Sequence, residues 1–280
     1  MIIARTRDDL NQTLQKFTQK PGKLALIPTM GNLHDGHLSL VRLAKLNAKK
    51  TITTIFVNPL QFGKNEDFEK YPRSEEMDIN KLSKEKCDIL FIPVNRNEVF
   101  PKFEEVKKIE SGKLGNELCG KIRPGHFDGV LTVVNKIFDM IKPDIAIFGA
   151  KDYQQQILIS EMSKILHPYL TILKAPIIRS KNGVALSSRN NYLSQKEMNL
   201  ASNLFKCLEN SVKLYKDNVL LNEIIENAQK FLISKKLNPD YFELRDNKLN
   251  NINDNNFNGK KVFLSSVTLN KTRLIDNIEF

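Results

Sequence analysis

Short apolar runs recur through the first two-thirds of the chain, and each is followed by a stretch whose apolar positions fall three and four residues apart. The runs at 23–27, 51–57, 88–92, 144–148 and 169–173 predict strands. The periodic stretches near 36–49, 74–86, 127–141 and 153–166 predict helices. Runs with no polar alternation are buried on both faces, and helices between them make the sheet parallel, so the pattern predicts an α/β, Rossmann-like doubly wound fold. Ligands of such sheets bind beyond the carboxyl ends of the strands, where the strand order reverses. Three of the predicted ends are polar or glycine-bearing: Pro28-Thr29-Met30, Asn58-Pro59 and Gly149-Ala150-Lys151.

From about residue 176 the texture changes. A polar, turn-rich stretch (179–191) precedes helical patterns near 194–216 and 220–236, then strand-like pieces at 241–245, 261–268 and 272–278, with a polar loop expected over 247–258. The expected organisation is a larger domain over 1–175 and a smaller C-terminal α+β domain over 176–280. No internal repeat is present.

Composition narrows the class without changing this picture. The chain has 280 residues, 41% hydrophobic and 27% charged, as in a globular protein with a sizeable core. It has no run of about 18 apolar residues, so no membrane span is expected. The opening MIIARTRDDLNQ lacks the apolar stretch of a secretory signal. Cys87, Cys119 and Cys207 show no metal-binding or disulfide spacing, which suits a reducing cytoplasm. The net charge of +11 invites a nucleic-acid partner, but the lysines are dispersed among glutamates rather than gathered in a stripe, so none is expected.

The candidate chemistry lies in four segments. In Ile27–Leu40 (IPTMGNLHDGHLSL) a strand runs through a glycine turn into a helix, placing His34 and His37 on one face of its first turn. Backbone N–H groups at such an end, with two imidazoles, suit an α-phosphate. A third metal ligand at helical spacing is missing. In Phe56–Phe62 (FVNPLQF), Asn58 and Gln61 between phenylalanines suit a pocket with an apolar wall and a few oriented amides, or an ordinary strand exit. Tyr71-Pro72-Arg73 lines the same pocket or caps the next helix. In Phe148–Gln155 (FGAKDYQQ), Lys151 is placed to meet a phosphate, Asp152 to accept from ribose or cap the helix, and Gln155 to face the cavity. Leu186–Asn190 (LSSRN) offers hydroxyls and the Arg189 fork as a phosphate clamp, or a polar linker. Of the remaining histidines, His126 lies in a motif-like segment and His167 reads as structural or surface.

Together PTMGNLHDGH, FVNPLQF, YPR, RPGHFDGV, GAKDYQQ, LSSRN and TRLIDN, in that order over nearly the whole chain, resemble the pantothenate synthetases (pantoate–β-alanine ligases). That family carries an HxGH-type nucleotidyltransferase motif. The resemblance implies condensation of D-pantoate with β-alanine, using ATP and Mg²⁺, through pantoyl adenylate, in a cytoplasmic homodimer. It implies His37, His34 and Lys151 as catalytic. Met30, Gly31, Asn32, Leu33, His34, Asp35, Gly36 and His37 would contact ATP, as would Gly149, Ala150, Lys151, Asp152, Ile178, Leu186, Ser187, Ser188 and Arg189. Gln61 and Gln155 would hold pantoate, Gln61 also meeting β-alanine; the metal ligands stay unassigned. Where the family usually has glutamate, this chain has Ala150; Lys151 and Asp152 are retained, so activity is expected to survive. The nearest rival, a nucleotidyltransferase acting on a phosphate ester, fits the neutral Gln61 and Gln155 less well.

Overall fold

A computed structural model describes residues 1–18, 22–64, 66–252 and 257–280. The expected loop at 247–258 therefore lies partly outside the described residues, at 253–256. Contacts divide the chain into two units: Met1–Ala150 with Gln155–Pro176, and Lys151–Gln154 with Ile177–Phe280.

The first unit is built on strands β1 (Ile2–Ala4), β2 (Leu24–Thr29), β3 (Lys50–Ile55), β4 (Ile89–Phe91), β5 (Ile145–Gly149) and β6 (Thr171–Ala175). All are parallel, in the order β1-β4-β3-β2-β5-β6. The order reverses between β2 and β5, so the crevice of a doubly wound sheet falls at their carboxyl ends. Its helices are α1 (Arg7–Thr18), α2 (Asp35–Asn47), α3 (Glu75–Lys84), the short α4 (Cys119–Ile122), α5 (His126–Ile141) and α6 (Tyr153–Leu166).

The buried side chains explain the arrangement. On α2, Leu38, Val41 and Ala44 recur at helical spacing and pack with Leu82 of α3 against Ala25, Ile27, Ile145 and Ile147 of the sheet. β2 continues through Pro28 to Thr29, two residues further than the apolar run. Pairing with β5 involves only Ala25 and Leu26, so by Pro28 the strand has one partner and a residue without N–H is tolerated.

β1 and α1 were not in the apolar pattern. Three residues make β1 too short a run, and α1 buries little beyond Leu10 and Leu14. The start of α1 is nonetheless written locally. Thr6 Oγ1 accepts the Asp9 N–H (3.1 Å) and the Asp9 carboxylate accepts the Thr6 N–H (3.0 Å), a reciprocal cap.

In the second unit, α7 (Gln195–Lys216) and α8 (Leu221–Ser234) precede an antiparallel sheet of β7 (Asn238–Asp246), β8 (Lys261–Leu269) and β9 (Thr272–Glu279). Leu204 and Leu208 of α7 and Ile224 and Leu232 of α8 pack with Phe242, Phe263 and Val267. Ser194 caps α7, its Oγ accepting the Glu197 N–H (3.3 Å) while Glu197 accepts the Ser194 N–H (2.8 Å).

Candidate active site

At the carboxyl end of β2, Thr29 Oγ1 donates to the Thr54 carbonyl (2.8 Å) and accepts the Gly31 N–H (3.2 Å). The chain then reverses through Gly31 (φ +80°) and Asn32 (φ +48°). A Cβ at Gly31 would stand 2.9 Å from an Ile55 methyl carbon, so this close approach needs glycine. The buried Asp78 of α3 accepts the N–H groups of Asn32 and Leu33, one on each carboxylate oxygen, both at 2.8 Å. Lys81, one turn later, donates to the Leu33 carbonyl (2.6 Å).

His34 stands extended before α2 (φ −130°, ψ 174°), and its N–H donates to Nδ1 of His37 (3.3 Å). The imidazole centroids are 4.0 Å apart, with the planes inclined at 36°. Because His37 Nδ1 accepts, the neutral ring carries its proton on Nε2. The first helical bonds run from His37 and Leu38 to the His34 carbonyl, so the Asp35 and Gly36 N–H groups precede the ladder and add to the positive end of the helix dipole. The turn can receive an anion and supply a proton beside it.

Gln61 follows β3 in a 3₁₀ turn, Pro59–Gln61. It is buried, and its Nε2 lies 3.1 Å from Sδ of Met30, which brings the Gln61 amide against the side chain entering the histidine turn. Helix α5 holds this turn at several points. Asn58 Nδ2 donates to Gln61 Oε1 (3.2 Å) and to the Gly129 carbonyl (3.0 Å). His126 Nδ1 is 2.8 Å from the Gln61 carbonyl and its Nε2 is 2.7 Å from an Arg123 nitrogen. A carbonyl only accepts and a guanidinium only donates, so His126 is the neutral Nδ1–H tautomer. Arg123 in turn donates twice to Glu66 at 2.5 Å. Burial pushes the Glu66 carboxyl up, but the Arg123 hydrogen bond and charge outweigh it and hold it below the ordinary range. Gln155 is half-buried in the first turn of α6, just after the carboxyl end of β5. His167 serves packing, its Nε2 2.7 Å from Asn135 Oδ1 and its ring edge-on to Phe138.

Gly149, the last residue of β5, and Ala150 lie in the first unit, and the second unit holds Lys151, Asp152, Ile178 and Leu186–Arg189. Lys151 Nζ is 3.4 Å from Asp152, and the Lys151 carbonyl accepts from Asn277 Nδ2 (3.1 Å). Ile178 and Leu186 face each other across a narrow loop, the Leu186 N–H donating to the Ile178 carbonyl (2.9 Å). Ser187 caps the 3₁₀ turn Ser188–Tyr192, its Oγ accepting the Arg189 N–H (3.3 Å); Ser188 is buried and Arg189 half-buried. Arg179 anchors this loop to β9, meeting Asp276 with two nitrogens at 2.5 and 2.9 Å. Burial raises the Asp276 carboxyl while Arg179 pulls against it. Tyr153 donates to Glu279 (3.1 Å) and to the Asn247 carbonyl (3.2 Å); burial, then the Glu279 charge, push its phenol well up.

Sequence reasoning missed Asp78, Lys81, Arg179 and the individual roles of Asp276 and Asn277. The last two sit inside TRLIDN, which is signal enough to suspect them. Asp78 and Lys81 carry no signal, because what they bind is main chain more than 40 residues away in sequence.

A family model described as pantoate–β-alanine ligase matches residues 2–279. Among similar proteins, a pantothenate synthetase of Psychrobacter cryohalolentis is 42% identical over 272 residues, covering 96% of this chain and 94% of its own. One from Ruthia magnifica is 44% identical over 261 residues, covering 92% and 91%. Among solved structures, pantothenate synthetase of Thermus thermophilus superposes with a TM-score of 0.91 at 32% identity, covering 99% of each chain. Pantoate–β-alanine ligase of Francisella tularensis, complexed with β,γ-ATP and β-alanine, superposes with a TM-score of 0.82 at 32% identity, covering 99% and 97%.

Proposed function

Because the chain belongs to the pantoate–β-alanine ligase family, it is an enzyme that condenses pantoate with β-alanine using ATP, and we propose that it does so through a pantoyl adenylate formed at the His34–His37 turn. The observation that carries this reading is the pair of imidazoles 4.0 Å apart at the start of α2, beyond the end of β2.

A carboxylate is a poor acyl donor, and adenylation gives it a good leaving group. The pantoate carboxylate oxygen attacks the α-phosphorus and pyrophosphate departs. The amine of β-alanine then attacks the acyl carbon, AMP departs, and the amine proton is lost to solvent. In the first step negative charge grows on the phosphate oxygens. His37 donates from Nε2 and His34 stands beside it, supported by the N–H groups of Asp35 and Gly36. Gln61 holds pantoate and then meets β-alanine, and Gln155 is its partner on pantoate. Met30–Leu33, Gly149, Ala150, Lys151, Asp152, Ile178 and Leu186–Arg189 are the further ATP contacts, by the family motifs they match.

Mg²⁺ is proposed as the counter-ion of the triphosphate. The described residues offer no group of three or more His, Cys, Asp or Glu able to cage a metal, and Mg²⁺ when bound would neutralise charge on the triphosphate oxygens. Residues 1–175 are proposed as the nucleotide- and pantoate-binding domain and 176–280 as a lid, in a homodimer. A cytoplasmic location is proposed from the three buried thiols. No helix among the described residues is long and apolar enough to cross a membrane.

The test is incubation with ATP, Mg²⁺, pantoate and β-alanine. AMP should accumulate only with both acids present, and pyrophosphate should exchange into ATP with pantoate alone. Exchange that ignores pantoate would overturn the adenylate.

A further inference from the structure

We propose that Asp78 and Lys81 are positioning residues for adenylation, moulding the main chain that presents His34 and His37. The inference rests on the reading of the histidine turn given above. Successive N–H groups in a left-handed turn form a concavity that binds anions. Here that concavity, at Asn32 and Leu33, is filled from inside: the Asp78 carboxylate, 1% exposed, takes one N–H on each oxygen at 2.8 Å. An incoming phosphate is thereby turned away from the concavity and left to the helix start and its imidazoles.

The conformation needs such a partner. Asn32 at φ +48° is a backbone state that non-glycine residues adopt at a cost, and it persists only where its surroundings impose it. Lys81 lies three residues after Asp78 on the same face of α3 and grips the Leu33 carbonyl (2.6 Å). Ser74 Oγ adds contacts to Asp78 (3.3 Å) and Asn32 Oδ1 (3.4 Å). Asp78 and Lys81, one turn apart on α3, thus hold both polar groups of Leu33 and the N–H before it, immediately ahead of His34.

The variants are Lys81→Met, Lys81→Arg and Asp78→Asn, with Lys81→Met carrying the test if Asp78→Asn fails to fold. Pantoate-dependent ATP–pyrophosphate exchange should slow by about 10- to 100-fold in Lys81→Met, since misplacing a catalytic group by an ångström has that effect. The KM for β-alanine should stay at its wild-type value, and Lys81→Arg, which keeps a donor, should recover most of the rate. In a His37→Ala background the further loss from Lys81→Met should shrink to less than about twofold, because residues acting through one group are not additive. Wild-type exchange in Lys81→Met, or a loss that multiplies undiminished with His37→Ala, would overturn the clamp. If the unaltered enzyme showed no pantoate-dependent exchange, the adenylate reading itself would fall instead.

Discussion

The smallest decisive feature is a proton position. His37 Nδ1 accepts the His34 N–H, so the neutral ring carries its proton on Nε2. His37→Ala should therefore lower the rate of pyrophosphate exchange by about 10²–10³-fold while far-UV circular dichroism and melting temperature stay near those of the unaltered enzyme. Near wild-type exchange in that variant would remove His37 from the chemistry. His126 shows the same logic with the tautomer reversed: caught between a carbonyl and a guanidinium, it fixes the Gln61 main chain rather than offering a proton. Both histidines were visible as motif members. Which nitrogen each one offers depends on partners that a sequence does not print.

At the scale of elements, the Gln61 turn is seated on α5 through a missing side chain. A Cβ on Gly129 would lie 2.1 Å from the Leu60 carbonyl oxygen and 2.7 Å from Gln61 Cα, and both are main-chain atoms with nowhere to go. Gly129→Ala should push the Pro59–Gln61 turn off the helix and lower kcat/KM for pantoate on the order of 10²-fold, with ATP saturation little changed. Unaltered pantoate saturation would show that the turn needs no such seat. Most elements were legible because each satisfies its hydrogen bonds and buries its apolar residues within a short window. β1 and α1 were not, since an edge strand of three residues and a helix with two buried leucines leave little trace in periodicity.

Whole-molecule order depends on contacts that span much of the chain. Arg179 and Asp276 are 97 residues apart and join the loop before Leu186 to the last strand, with the guanidinium also over the Phe205 ring at 3.8 Å. Arg179→Met should destabilise the protein by about 3–5 kcal/mol, because it strands a buried carboxylate, whereas Asp276→Asn with Arg179 retained should be milder. The folded Asp276 carboxyl is raised by burial, so its protonated form favours the fold; the Arg179→Met deficit should be smallest below the ordinary carboxylate range and grow as pH rises through the raised value. Thermal melts of both variants between acid and neutral pH check the sign. A deficit that grew on acidification instead would show that Arg179 does not stabilise the Asp276 carboxylate.

Local physics made the parallel sheet, its helices and the strand–turn–helix at His34 readable from the amino acids alone. Hydrophobic period, glycine at a left-handed turn and capping residues all act within about one turn of helix or a few residues of strand. The order of the strands, the filling of the Asn32–Leu33 concavity by Asp78, the grip of α5 on Gln61 and the anchoring of the Arg179 loop by Asp276 were decided only on folding. Each is a hydrogen bond or close approach between groups dozens of residues apart, and a buried polar group must find its partner wherever the packed chain happens to bring one.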